Sequence, residues 1–308
     1  MTYEEWLSEW LDNYIQSTNK QQTFARYKNI VSLHIIPHLG KYKLEDISPI
    51  ILQKYITNLS LCGNTRNHQA LSANYVKAII NVIQTSLKTA HNLGFLMEYN
   101  ADKIKRPKST EKQVNCFSFS EQKIIENHIS NCKRKKLKGI LLCLYTGLRI
   151  GELLALTWAD IDFSKKTLYV TKSCHDGYVN GKHCIIIDTP KTGHSLRKIP
   201  LSPQLITILK DLKKNTKCKF VLSYNDKPIL VRSYQRAFEL LLKKLKIQHK
   251  GFHSLRHTFA TRAIECGMDI KSLSEILGHK NASITLNRYA HSLWEHKSDM
   301  MNKLSKLM

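Results

Sequence analysis

Residues 105–114 read KRPKSTEKQV: a proline, charges and small polar residues with no apolar period. Such a stretch has no face to bury, so it reads as a linker between two folded units. It sets a first domain over 1–107, a linker over 108–116 and a second domain over 117–308.

Toward the N-terminus the pattern is helical. Residues 3–15 (YEEWLSEWLDNYI) place Trp6, Trp10 and Tyr14 four apart on one stripe of an amphipathic helix. Residues 23–35 read as a second helix stopped near Pro37, and 48–59 and 72–93 as two more. Beyond the linker, helices over 119–131 and 136–147 precede three short β-rich runs at 167–170, 184–187 and 197–199. Helical periodicity then returns over 233–245, 253–265 and 270–277, with a last helix ending near Tyr289. The fold class is mainly α with a small β-sheet: a helical domain followed by a mixed α/β domain.

The 308 residues carry 48 Lys plus Arg against 24 Asp plus Glu, a net charge of +24. Solubility alone does not need so much, so the charge points to a polyanionic partner, nucleic acid first. Residues 1–110 hold 13 basic and 8 acidic residues, which leaves 35 and 16 for the remainder, so the C-terminal part carries most of the field. The first 18 residues contain only acids (Glu4, Glu5, Glu9 and Asp12), which places the opening helix away from phosphates, toward solvent or a neighbouring subunit. Eight cysteines without C-x-x-C spacing, and no signal sequence, read as reduced thiols in the cytoplasm. The longest apolar stretch, around residues 139–144, is far shorter than the roughly 20 residues that span a bilayer, so no membrane is expected.

Four separated segments concentrate chemistry: Thr146-Gly-Leu-Arg-Ile-Gly-Glu152, Thr189-Pro-Lys-Thr192, His253-Ser-Leu-Arg-His257, and Leu277-Gly-His279 with Tyr289 ten residues beyond. Each alone has an ordinary explanation as surface charge or helix residue; their order and spacing together do not. Taken in order, they resemble the tyrosine recombinase (phage integrase) family, whose catalytic set runs Arg, Lys, His-x-x-Arg, His or Trp, Tyr. The matching residues are Arg149, Lys191, His253, Arg256, His279 and Tyr289. The likeness covers residues 111–308, and the helical first domain is similar to the family's SAM-like core-binding domain. The resemblance implies two domains closing as a C-clamp on DNA, and integrases of phages and conjugative transposons without an arm-binding domain.

Those residue types suit phosphodiester exchange. The transition state gains a second negative charge, and the forked guanidiniums of Arg149 and Arg256 can each bind non-bridging oxygens with two parallel hydrogen bonds. By the resemblance, Tyr289 is the nucleophile, leaving a 3′-phosphotyrosyl link and a 5′-hydroxyl. Lys191, in a turn between two strands, is the general acid for that oxygen. His253 assists proton transfer or steadies the phosphate, and His279 donates to a non-bridging oxygen. Glu152, one turn after Arg149, either orients a neighbouring cation or forms a surface ion pair. No cofactor is called for, and no nucleotide-binding loop is present.

Arg26, Lys28, His34, Arg66 and Lys77, interspersed with Tyr27 and Tyr75, read as phosphate-tracking residues of the first domain. Cys174-His175 and His183-Cys184 flank a turn and offer metal-ligand types, but neighbours on a strand point to opposite faces and no zinc is expected. His257 and His291 read as ordinary helix positions. Residues 291–308 read as an amphipathic helix that packs on its own domain or, by the resemblance, docks on a neighbouring protomer. The expected partners are double-stranded attachment sites, further copies of the chain as a homo-tetramer on two sites, and an accessory directionality factor. The resemblance implies integration or excision of a mobile element. A catalytically silent DNA-binding protein, a chromosome-dimer resolvase and a type IB topoisomerase-like enzyme are the alternatives.

Overall fold

The computed structural model describes residues 1–65, 67–108, 115–179, 182–188, 196–214, 216, 218–224, 227–279, 281, 283, 301–302 and 304–305. The chain divides into two units, Met1–Lys112 and Gln113–Met308.

In the first unit a capping box starts helix α1 (Tyr3–Trp10): the Glu5 N–H donates to Thr2 Oγ1, and the Thr2 N–H to the Glu5 carboxylate. A wider π turn, Leu11–Ile15, carries the helix on. Tyr3, Trp6, Leu7 and Trp10 are fully buried, while Glu4, Glu5, Glu9 and Asp12 are all exposed. After α2 (Gln21–Ile30), α3 (Ile36–Leu39) and α4 (Pro49–Cys62), the long helix α5 (Ala73–Asn92) receives the buried aromatics. Trp6 Nε1 donates to the Ser86 carbonyl at 3.2 Å, the Tyr3 hydroxyl lies 2.8 Å from Ser86 Oγ, and Trp10 Nε1 donates to Thr89 Oγ1 at 3.2 Å. The polar tips of the stripe are thus paired as its rings leave water.

The helical path ends at Leu39, close to the expected stop near Pro37. A π turn at Val31–Ile35 resets the hydrogen-bond register just before the proline. Pro37 then falls in a first turn, where a missing N–H removes no intrahelical bond.

The second unit opens with Phe117, fully buried, and α6 (Phe119–Ser130), capped by Ser118 and Glu121. The Phe117 N–H donates to Oγ1 of Thr258 at 2.8 Å. Helices α7 (Lys138–Thr146) and α8 (Ile150–Ala155) follow, contributing Ile140, Leu142, Leu153 and Leu154 to the core. Strands β1 (Ile161–Asp162), β2 (Thr167–Val170), β3 (Ser173–Val179), β4 (Lys182–Asp188) and β5 (Arg197–Pro200) form two antiparallel arrangements. One is a three-stranded sheet in the order β1-β2-β5, with Leu168 opposite both Ile161 and Ile199; the other is the β3–β4 ribbon. Helices α9 (Pro203–Lys213), α10 (Val231–Lys244), α11 (Ser254–Glu265) and α12 (Ile270–Leu277) complete the described unit, with a short pair β6 (Ser223–Tyr224) and β7 (Lys227–Pro228) between α9 and α10. The architecture is mainly α with small antiparallel sheets. No helix of the described residues is long and apolar enough to cross a membrane.

The strand β3 and the short helix α8 escape the sequence pattern. SCHDGYV contains Asp176 and Gly177, poor strand formers, and IGELLA is too short to show a helical period.

Candidate active site

Helix α7 ends at Gly147, which adopts a left-handed conformation (φ 67°) and turns the chain sharply. A Cβ at this position would stand 2.6 Å from Phe259 Cδ1 and 2.7 Å from Leu277 Cδ2, so both the angle and the space call for glycine. The turn buries Leu148 and makes Arg149 the residue that precedes α8. An arginine has no acceptor with which to cap a helix. Glu152 supplies the cap instead: its Oε2 accepts from the Arg149 N–H and its Oε1 from Arg149 Nη1, both at 2.8 Å.

The same carboxylate receives a second arginine. Arg197, on β5, donates from Nη1 to Oε1 at 2.9 Å and from Nη2 to Oε2 at 2.8 Å. The side chains of Glu152 and Arg197 are each 5% exposed, so this is a buried bidentate pair rather than a surface ion pair. Burial alone would raise the Glu152 pKa. The Arg197 hydrogen bonds and charge, joined by the charge of Arg149 and its backbone N–H, outweigh burial and hold it at about 2.

Three arginines then meet the end of α12. Arg197 Nε donates to the Ile276 carbonyl at 2.5 Å, Arg256 Nη2 to the Leu277 carbonyl at 2.7 Å, and Arg149 Nη2 to the Gly278 carbonyl at 3.2 Å. The last carbonyls of a helix carry partial negative charge and lack intrahelical donors, so a cationic collar suits them. Gly278 is left-handed (φ 64°) and closes the helix, and the His279 N–H returns to the Ser274 carbonyl at 3.0 Å. His279 is thereby seated directly beside the arginines.

Arg256 reaches this place from α11, with a second bond from Nη1 to the Gly147 carbonyl at 2.9 Å, and is only 1% exposed. His253 immediately precedes α11 and is exposed, its ring 4.6 Å from that of His257 in an edge arrangement. His279 is half-buried and the Arg149 side chain 37% exposed, so the patch opens to solvent above the buried Arg256. The structure therefore brings Arg149, Arg256 and His279 together around one helix end, with His253 one turn before Arg256. Lys191 and Tyr289 lie outside the described residues. Lys191 falls between β4 and β5, which pair with different strands rather than with each other.

Arg197 was not singled out by the sequence reading, which saw only a strand. Its signal was the two-residue period that puts it on the same side as buried Ile199, an inward position where an arginine needs a partner.

In the first unit Arg26 and Lys28 are exposed on α2, and Lys77 is half-buried on α5; Arg66 lies outside the described residues. His34 is a correction to the proposed phosphate-tracking set. It is 5% exposed, packs edge-on to Tyr75 at 5.3 Å, and has its pKa lowered first by burial and then by His38. An imidazole turned into the core is not presented to a phosphate. On the ribbon, Cys174 stands opposite Ile187 and Cys184 opposite Gly177, so the two Cys-His pairs are offset along the strands. Among the described residues no group of three or more His, Cys, Asp or Glu is gathered.

The chain resembles known proteins along most of its length. Residues 2–60 match the phage integrase N-terminal SAM-like domain, and residues 109–296 the phage integrase family. The chain is 30% identical over 335 residues to a tyrosine recombinase XerC-like protein of Caldanaerobacter subterraneus subsp. tengcongensis, covering all of this chain and 83% of that one. It is 24% identical over 302 residues to the ICEBs1 integrase of Bacillus subtilis, covering 94% and 79%. Its fold matches the Tn1549 transposon integrase in complex with a circular intermediate DNA, with a TM-score of 0.82 at 22% identity over 99% of both chains. With the arginine and histidine motifs assembled at one helix end and the family matched over most of the second unit, the chain belongs to the phage integrase family, the tyrosine recombinases.

Proposed function

We propose that this recombinase integrates or excises a mobile DNA element, cutting and rejoining strands through a 3′-phosphotyrosyl link at Tyr289. The observation that carries this reading is the convergence of Arg149 and Arg256, from different helices, on the adjacent carbonyls of Gly278 and Leu277 beside His279. Two guanidiniums held there supply fixed positive charge where a phosphodiester would gain negative charge. Arg149 meets the phosphate from the solvent side, while Arg256 acts from below, where the low dielectric lengthens the reach of its charge.

Tyr289 attacks phosphorus, and the bond to the 5′-oxygen breaks as Lys191 delivers a proton to it. His253 takes part in the proton transfer from the phenol, and His279 donates to a non-bridging oxygen. A phenol, with an ordinary pKa near 10, is a better leaving group than an aliphatic alcohol. A 5′-hydroxyl from another strand then reverses the attack without an external energy source. Glu152 keeps Arg149 in place.

Double-stranded DNA is the partner, in keeping with the net charge of +24 and with the DNA held by the Tn1549 integrase. Residues 1–107 serve as the core-binding domain, with Arg26, Lys28, Arg66 and Lys77 toward phosphates. Exchange between two sites cut on both strands calls for four active sites, hence a homo-tetramer, and an accessory factor sets direction. The mobile-element reading is supported by the likeness to the ICEBs1 integrase over 94% of this chain and 79% of that one.

The test mixes wild-type and Tyr289→Phe protein with fragmented DNA from the source cell, denatures, and sequences only DNA bound covalently to protein. A few related, paired sites with the wild type and none with the variant are expected. Sites at a chromosomal replication-terminus locus instead would indicate a resolvase, and no adduct with either protein would indicate a silent DNA-binding protein.

A further inference from the structure

Two features of Arg197 stand apart from the phosphate chemistry. Its side chain is 5% exposed, and its described hydrogen bonds go to Glu152 and to the Ile276 carbonyl. From there it does not reach a phosphate on the solvent side. It nevertheless touches both devices that would: the carboxylate that grips Arg149 and the helix end that seats His279. A Cβ on Gly278 would lie 3.0 Å from Arg197 Cδ, so the turn that leads into His279 rests on this side chain.

We propose that Arg197 is a positioning residue for strand cleavage: by occupying half of Glu152 it keeps that carboxylate from neutralising Arg149, and by holding the Ile276 carbonyl it fixes the turn beneath His279. This inference rests on the reading of Arg149 as a phosphate-binding group. A carboxylate offers about four lone-pair sites, and here all are taken: Oε1 by Arg149 Nη1 and Arg197 Nη1, Oε2 by the Arg149 N–H and Arg197 Nη2. Arg149 therefore commits one guanidinium N–H to Glu152 and one to Gly278, out of about five such donors in an arginine. Remove Arg197 and the half-vacated carboxylate turns onto Arg149, the nearest remaining cation. The site then holds one neutral ion pair where it held a carboxylate shared between two cations, and Arg149 no longer presents a full charge to DNA.

The test uses the full chain and a nicked duplex carrying a site recovered by covalent capture. It measures two quantities, the single-turnover rate of covalent adduct formation and the Kd for the duplex. Arg197→Gln is expected to slow adduct formation about 100-fold while Kd changes by less than about threefold, because a displaced catalytic group costs rate more than binding. In an E152Q background the same change is expected to cost less than about fivefold, since no carboxylate remains to claim Arg149 and only the hold on the Ile276 carbonyl is lost. If R197Q does not fold, R197K is compared in the wild-type and E152Q backgrounds by the same criterion, as lysine keeps a charge but not the fork. Wild-type rates for the folded variant, or an equal penalty in both backgrounds, overturn the inference. Absence of adduct with the wild-type protein overturns instead the functional reading beneath it.

Discussion

The backbone N–H of Phe117 donates to the hydroxyl of Thr258 over 2.8 Å, which fastens the first buried residue among those described in the second unit to the helix that carries Arg256. Arg262, one turn further, adds a bond to the Phe117 carbonyl at 3.1 Å, and Lys250 lies over the Phe117 ring. Thr258 is 1% exposed and also donates to the Ser254 carbonyl. Thr258→Val keeps the shape but leaves the Phe117 N–H buried without an acceptor. It is expected to destabilise the unit by about 1–3 kcal/mol in urea titrations, and an unchanged midpoint would show that another group satisfies that N–H.

Gly147 combines φ 67° with neighbours that leave no space for a methyl group. Gly147→Ala adds left-handed strain and overpacking, each about 1–3 kcal/mol. Relief requires movement of the Phe259 ring or of Leu277, next to the Arg256 contact. Loss of cleavage in excess of the loss of folded protein, measured on the fraction that remains folded below its melting temperature, is the expected result.

Glu152 gives a pH signature. Its folded pKa of about 2 lies below the ordinary carboxylate range, so its stabilising contribution is fully present above the unfolded value and is lost as pH falls through about 2. The depression corresponds to roughly 3 kcal/mol. Wild type should therefore exceed Glu152→Gln in stability at about pH 6, and the gap should narrow steadily below the ordinary carboxylate value of about 4.3. Denaturant curves of both proteins across that range decide it; a gap independent of pH would mean that the carboxylate charge is not what stabilises the network.

Lys191 is proposed to protonate the departing 5′-oxygen. Lys191→Ala should slow cleavage by about 10²- to 10⁴-fold on ordinary DNA. With sulfur replacing the bridging 5′-oxygen the leaving thiolate needs no proton, so most of that loss should disappear. A penalty of equal size on both substrates would assign Lys191 to phosphate binding instead.

The helical domain was legible because its apolar stripe is long and its spacing regular: Trp6 and Trp10 point into one core wherever the chain keeps an α-like path. The π turn before Pro37 was not legible, since a proline reads as a stop unless the register shifts ahead of it. His34 was misjudged from its polar surroundings. Its position four residues after buried Ile30 put it on the inner face, and the helix, not the residue type, decided its burial. At the active site Arg149, Arg256 and His279 were visible as motifs, but their common seat on the last carbonyls of α12 is a tertiary fact. Backbone carbonyls leave no mark in a sequence. Arg197 was passed over for a related reason: a charged residue at a strand end reads as surface until its buried partner on another element is known.

The collar around α12 also sets a tether. Arg149 holds the Gly278 carbonyl, and the proposed nucleophile Tyr289 lies ten residues past His279. From the anchored Gly278 to Tyr289 the chain, however it is folded, extends no more than about 40 Å at 3.3–3.6 Å per residue. Every scissile phosphate that Tyr289 serves, whether beside its own arginines or those of a neighbour, must lie within that radius, plus the length of one tyrosine side chain, of the anchored helix end.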